Sequence, residues 1–153
     1  MNRLLEEIKH SDSIYKPIPA RIASMMPLTE QDMLFTIELP HDLSLKHGPG
    51  QFVQVSLLGV GEAPISISSS PSRSNGIFEL CIRKVGDLTT ALHNKKPGDI
   101  IGIRGPFGRG FPVQHFRGKD ILLTAGGLGL APLRSLITEV LDERGNYGRV
   151  IIL

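Results

Sequence analysis

The stretch Leu122-Leu123-Thr124-Ala125-Gly126-Gly127-Leu128-Gly129-Leu130-Ala131-Pro132 constrains the fold of this chain more than any other. The apolar run Ile121 to Leu123 reads as a buried parallel strand, the glycines as a turn, and the residues from near Ala131 to Leu141 as a helix. Strand, glycine turn and helix in that order offer backbone N–H groups and a positive helix end to an anion, typically a phosphate. The spacing Gly-Gly-x-Gly-x-Ala-Pro is not the standard dinucleotide fingerprint. Alone it predicts an anion site of unspecified purpose.

The 153 residues allow one complete domain, or one plus part of another. Net charge is +2, there is no Trp, and no Lys/Arg cluster is interleaved with aromatics, which argues against a nucleic-acid surface. The single cysteine, Cys81, excludes an internal disulfide and a multi-cysteine metal site, and it reads as a buried small hydrophobe. No apolar stretch reaches the ~18 residues of a membrane span. The acidic start Met1 to Ile8 has no signal-peptide core, so a cytoplasmic location is the default. The five histidines (10, 41, 47, 93 and 115) show no metal-ligand spacing and are expected at the surface or in loops.

Leu4, Leu5 and Ile8 at helical spacing predict a short amphipathic helix in an extension of residues 1–16. Strands are then expected at Ala20 to Met26, Met33 to Leu39, Gln51 to Leu58 and Pro64 to Ser70. Ile77 to Val85 is the clearest, with Phe78, Leu80 and Ile82 alternating against Glu79, Cys81 and Arg83. Asp87 is the expected N-cap of a helix over Leu88 to Asn94. A last strand runs from Ile100 to Arg104 and closes at Gly105-Pro106-Phe107-Gly108. These short strands predict an all-β, six-stranded antiparallel barrel of Greek-key type over residues 17–114. From 115 to 153 the pattern becomes strand, helix, strand (Ile121 to Thr124, Pro132 to Glu143, Arg149 to Leu153). That is the start of a Rossmann-like α/β unit, with the boundary expected between Phe111 and Gly118. Because two parallel strands cannot bury both faces, either the chain is a fragment or another chain completes the sheet.

Taken in order, Ala63-Pro64-Ile65-Ser66, Leu80 to Thr89 and the Gly126 to Pro132 turn resemble the ferredoxin–NADP reductase superfamily. They are most similar to the flavin subunits of cytoplasmic hydrogenases, sulfhydrogenases and anaerobic sulfite reductases, and to the electron-transfer subunit of dihydroorotate dehydrogenase. Pro49-Gly50-Gln51-Phe52-Val53, Pro97-Gly98-Asp99 and Gly105-Pro106-Phe107-Gly108 support the likeness.

The resemblance implies a barrel holding FAD, with FMN the less favoured alternative, and an α/β unit holding NAD(P)H. The family's Arg-x-Tyr-Ser falls on Ala63, Pro64, Ile65 and Ser66. Ser66 would tune flavin N5, Ile65 would offer an apolar face where an aromatic usually stacks, and Ala63 replaces the arginine that usually faces the pyrophosphate. Arg83 and Lys84 are candidates to supply that charge. Cys81, Ile82 and Arg83 would line the flavin, and Gly86, Asp87, Leu88 and Thr89 would hold its pyrophosphate through backbone N–H groups and the Thr89 hydroxyl. Thr124, Gly126, Gly127, Leu128, Gly129, Ala131 and Pro132 would contact NAD(P), with Gly126 and Gly127 allowing close approach and Gly129 tight helix–strand packing.

The implied function is flavin-dependent electron transfer between NAD(P)H and an iron–sulfur partner, within a hetero-oligomer. A [2Fe–2S] cluster would lie in a missing segment or in that partner, a ferredoxin-like protein or iron–sulfur subunit. Two other readings stay open. A non-catalytic interaction subunit could keep the barrel without flavin, given Ala63 and Ile65. A simple nucleotide-binding module could use the glycine turn alone.

Overall fold

The computed structural model describes residues 15–40 and 43–153. The expected Leu4/Leu5/Ile8 helix, His10 and His41 lie outside those residues. The strands are β1 (Ile18–Pro27), β2 (Asp32–Glu38), β3 (Phe52–Leu57), β4 (Gly61–Ser66) and β5 (Ile77–Arg83). Helix α1 (Asp87–His93) and strand β6 (Ile100–Phe107) follow. These six strands form one antiparallel sheet in the order β4-β3-β6-β1-β2-β5.

Alternation sets the inner face. On β5, Phe78, Leu80 and Ile82 are buried; opposite them on β2 stand Ile37, Phe35 and Met33 in register. Cross-strand pairs of large apolar side chains are the unit of sheet stability. Ile22, Val53, Val55, Ile67, Ile101 and Ile103 belong to the same cluster, and α1 covers one side of it with Leu88, Ala91 and the fully buried Leu92.

The fourth strand lies earlier than the sequence suggests, at Gly61–Ser66 rather than Pro64 to Ser70. Beyond Ser66 the chain makes one bridge, Ile67 to Leu80, and then turns. Ser70 caps a short 3-10 turn, Pro71–Arg73, by accepting from the Ser72 N–H. A serine-rich run followed by proline carries caps as readily as strand. Gly86, not Asp87, is the N-cap of α1; Asp87 is its first residue.

The remainder comprises α2 (Val113–Phe116), β7 (Ile121–Leu123), a 3-10 turn at Gly127–Gly129, α3 (Leu130–Asp142) and β8 (Val150–Ile152). Strands β7 and β8 are parallel, with Ile121 opposite Val150. Leu136 and Val140 of α3 pack with Ile121, Leu123 and Tyr147 in a second apolar cluster. Leu122 and Ile151 alternate to the other face and are exposed. No helix among the described residues is long and apolar enough to cross a membrane.

Candidate functional site

Strand β4 presents the first motif on two faces. Its register against β3 sets Phe52 opposite Ser66, Val53 opposite Ile65, Gln54 opposite Pro64 and Val55 opposite Ala63. Directly opposed residues project to the same side. Ala63 and Ile65 therefore share the inner side with the fully buried Val53 and Val55, and Ile65 packs on the core. Ser66 and Pro64 share the outer side with Phe52 and Gln54. There the Phe52 and Phe107 rings sit 5.8 Å apart, and the Arg104 guanidinium lies over Phe107. The buried Gln54 Oε1 accepts no hydrogen bond. Nothing in the sequence marks this acceptor, because an alternating strand position carries no signal for it.

The loop before α1 is held by Thr89. Its hydroxyl accepts from the Val85 N–H (2.9 Å) and the Gly86 N–H (3.0 Å), and donates to the Gly86 carbonyl at 3.0 Å. The hydroxyl is thus engaged within the loop. The loop offers an anion the backbone N–H groups of the first turn, which no helix satisfies internally. At Asp87 it is the N–H that serves, since the carboxylate would repel an anion. Gly86 is extended, and a Cβ there would meet nothing within 4 Å, so a ligand can approach the backbone closely. α1 packs against β3 and β4, which brings Ala63 and Ile65 to the side of the sheet where this loop lies. These residues fit an FAD pyrophosphate through backbone donors, without a dedicated arginine at 63.

Arg83 is not free to replace that arginine. It forks onto Asp32, with Nε to Oδ1 at 2.8 Å and Nη2 to Oδ2 at 2.9 Å. This pairing holds the Asp32 carboxyl below the usual carboxylate range. Lys84 is exposed, and its N–H donates to Gln31 O at 2.8 Å. Cys81 is half-buried on the outer side of β5, and burial pushes its thiol pKa up, which disfavours the thiolate.

Two histidines depart from the surface expectation. His47 is 4% exposed, with Nε2 bound to Ser69 O at 3.1 Å and Nδ1 without a partner. His93 packs its ring against Phe35 and bonds to Ile82 O at 2.9 Å.

In the Gly126 to Pro132 turn Gly127 has φ +55, a region that favours glycine, and Cβ atoms at Gly126, Gly127 and Gly129 would all meet open space. Gly126 and Gly127 thus leave room for a ligand. Gly129 does not serve tight helix–strand packing, contrary to expectation, because nothing packs there. Thr124 is exposed, Leu128 and Pro132 are half-buried, and Ala131 is buried. Ala131 therefore anchors the helix more than it faces a ligand.

A polar seam joins the two sheets' units. Ser70 Oγ donates to Glu139 Oε2 at 2.5 Å, Ser72 Oγ to Asp142 Oδ2 at 2.7 Å, and Arg73 Nε to the same Asp142 oxygen at 2.9 Å. Arg134 Nη1 donates to Glu79 Oε2 at 2.5 Å. On another side of the contact, the Phe111 ring lies against Gly50. A cleft of about 720 Å³ surrounds the β3–β4 turn and includes no motif residue. Among the described residues no group of three or more His, Cys, Asp or Glu is placed to hold a metal ion.

Residues 19–111 match the family model described as the oxidoreductase FAD-binding domain. The chain belongs to that family. This FAD-binding family member is 47% identical over 148 residues to the sulfhydrogenase 1 subunit gamma of Pyrococcus furiosus, covering 94% of this chain and 50% of the relative. It is 35% identical over 136 residues to a probable dihydroorotate dehydrogenase B electron transfer subunit of Methanopyrus kandleri, covering 89% and 49%. It spans about half the length of the curated relatives it matches.

Among solved structures, phthalate dioxygenase reductase shares its fold with TM-score 0.77 at 17% identity, over 89% of this chain and 42% of that one. An NADH-dependent reduced ferredoxin–NADP oxidoreductase matches with TM-score 0.69 at 29% identity, over 87% and 48%.

Proposed function

We infer that this chain is the flavin-binding part, with the start of the nucleotide-binding part, of a subunit that moves electrons between NAD(P)H and an iron–sulfur partner. The observation that carries the reading is the pairing of the family match over 19–111 with a ligand-accessible loop at Gly86 beside the strand that ends at Ser66. Bound FAD supplies the relay between two-electron and one-electron chemistry.

The chain's own residues bind and orient it. The N–H groups of Asp87, Leu88 and Thr89 hold the pyrophosphate. Ser66 offers a hydroxyl toward N5 and Ile65 an apolar surface. The segment Cys81–Arg83 lines the flavin as β-strand backbone. The turn from Thr124 through Gly126, Gly127 and Leu128 to Pro132 receives the nicotinamide nucleotide's phosphates.

The six-stranded sheet closes into a barrel in this reading. Support comes from the Ile67–Leu80 bridge and the bond from Ser68 N–H to Glu79 O (2.9 Å), which join the run after β4 to β5. The two separate apolar clusters support a flavin domain over 17–114 and a nucleotide unit from 115 onward. The names of the relatives, subunits of sulfhydrogenase and of dihydroorotate dehydrogenase B, support a hetero-oligomer.

Ala63, in the place of the arginine, favours one rival reading: a barrel subunit without flavin. The visible spectrum of the purified protein separates them. Flavin bands, present on isolation or after reconstitution with FAD, are expected. Their absence after reconstitution sinks the electron-transfer reading.

A further inference from the structure

Arg134 ties the helix that follows the glycine turn to the run that follows Ser66. It is the fifth residue of α3, little more than one turn beyond Gly129. Its guanidinium donates to Glu79 Oε2 at 2.5 Å and, at the long end of hydrogen bonding, to the backbone oxygen of Ser68 at 3.4 Å. Ser68 is two residues beyond Ser66. It is fully buried and fixed to Glu79 O by its own N–H (2.9 Å) and hydroxyl (3.1 Å). Ser69 Oγ in turn accepts from the Glu79 N–H at 3.0 Å. The guanidinium therefore grips a rigid ladder position, not a loose loop.

The other seam contacts lie further from the glycine turn, at Glu139 and Asp142. A cavity of about 250 Å³, lined in part by Ser69, Ser70, Glu79, Arg134 and Thr138, adjoins Arg134. No packed apolar side chain fills that space, so side-chain packing does not replace the ionic contact there. An ion pair this exposed, with 45% of the Arg134 side chain accessible, adds little to stability. Its effect is on distance.

We propose that Arg134 is a positioning residue that sets the separation between the Gly126–Gly129 turn and Ser66, and with it the approach of the nicotinamide to the flavin. This rests on the flavin and nucleotide reading above. The step it governs moves a hydride from nicotinamide C4 to flavin N5, oxidising NAD(P)H to NAD(P)⁺ and reducing the flavin by two electrons.

The test uses the whole FAD-loaded subunit that carries this chain, unsubstituted and as Arg134→Met, Arg134→Lys and, as a far-end control, Glu139→Gln. Flavin reduction by NADH and by NADPH is followed by stopped flow, and FAD affinity by fluorescence quenching. Arg134→Met is expected to lower the saturated reduction rate roughly tenfold or more, since small misplacements of reacting atoms are costly. FAD affinity and half-saturating nucleotide should stay within about twofold, because Arg134 touches neither ligand. The nicotinamide–flavin charge-transfer band should weaken, Arg134→Lys should restore part of the rate, and Glu139→Gln should reduce at nearly the unsubstituted rate.

A normal rate and band in Arg134→Met, with FAD bound, overturns the positioning role alone. If Arg134→Met fails to take up FAD, the Lys variant decides: a normal rate there with a normal band overturns the role, and an intermediate rate with a weakened band supports it. An unsubstituted protein that takes up no FAD, or whose FAD neither nucleotide reduces, overturns the functional reading and this proposal with it.

Discussion

Arg83 and Asp32 are locked in a two-bond fork across the β2–β5 pair, 51 positions apart in sequence. Thr29 adds a third bond, donating its hydroxyl to Asp32 Oδ2 at 2.9 Å. The fork closes the strand end that feeds directly into the Val85–Thr89 loop. Asp32→Asn keeps the shape and removes the charge, leaving Arg83 without its counter-ion. We expect a lower Tm and FAD binding weakened several-fold, with Arg83→Gln giving a similar loss by fluorescence quenching. Unchanged FAD affinity in both variants would show that the loop is set without the fork.

Thr89→Val tests the loop itself. It preserves volume but strands the N–H groups of Val85 and Gly86, whose only partner in the loop is this hydroxyl. Losing hydrogen bonds to part-buried donors such as these costs about 1 kcal/mol. Urea unfolding should report that loss, and Thr89→Ser should recover most of it. A Val variant as stable as the parent would mean that water takes over both donors.

Gly50 carries two constraints at once. Its φ is +86, and a Cβ there would stand 2.6 Å from Cδ2 of Phe111. Gly50→Ala should therefore lower Tm clearly. The paired change Gly50→Ala/Phe111→Leu should recover only the part due to the clash. Equal stability of Gly50→Ala and the parent in thermal melts would contradict this account.

Acid sensitivity should centre on His47. Burial pushes its pKa below the ordinary 6.5, and the lone pair of its buried Nδ1 faces no acceptor that could take a proton's hydrogen bond. The unfolded chain then binds the proton more readily. Stability is complete above about pH 6.5 and falls as pH drops toward the depressed folded value. Tm measured from about pH 7.5 to pH 5 should decline more steeply in the parent than in His47→Gln, which keeps a donor to Ser69 O. Parallel curves would rule out His47 as the source.

What could be read from the sequence was local. The period-two alternation of Phe78, Leu80 and Ile82 marked β5 because burial on one face imposes that spacing. Gly126 and Gly127 marked the turn because glycines before a helix are an uncommon local pattern. The serines from 66 to 70 misled, since their environments differ by contact and not by type. Ser68 is buried on Glu79, and Ser70 is held by Glu139, 69 residues away. The Asp32 fork, the engaged Thr89 hydroxyl and the buried His47 depend in the same way on partners that no window of neighbouring residues contains.

The contact between the sheet and α3 has two anchors of different character. Phe111 against Gly50 is apolar, while the Arg73–Asp142 and Arg134–Glu79 links are ion pairs partly open to solvent. Dissolved ions weaken the second kind and leave the first intact. Ionic strength should then act as a handle on geometry, letting the helix swing about the Phe111 pivot while both apolar cores stay folded.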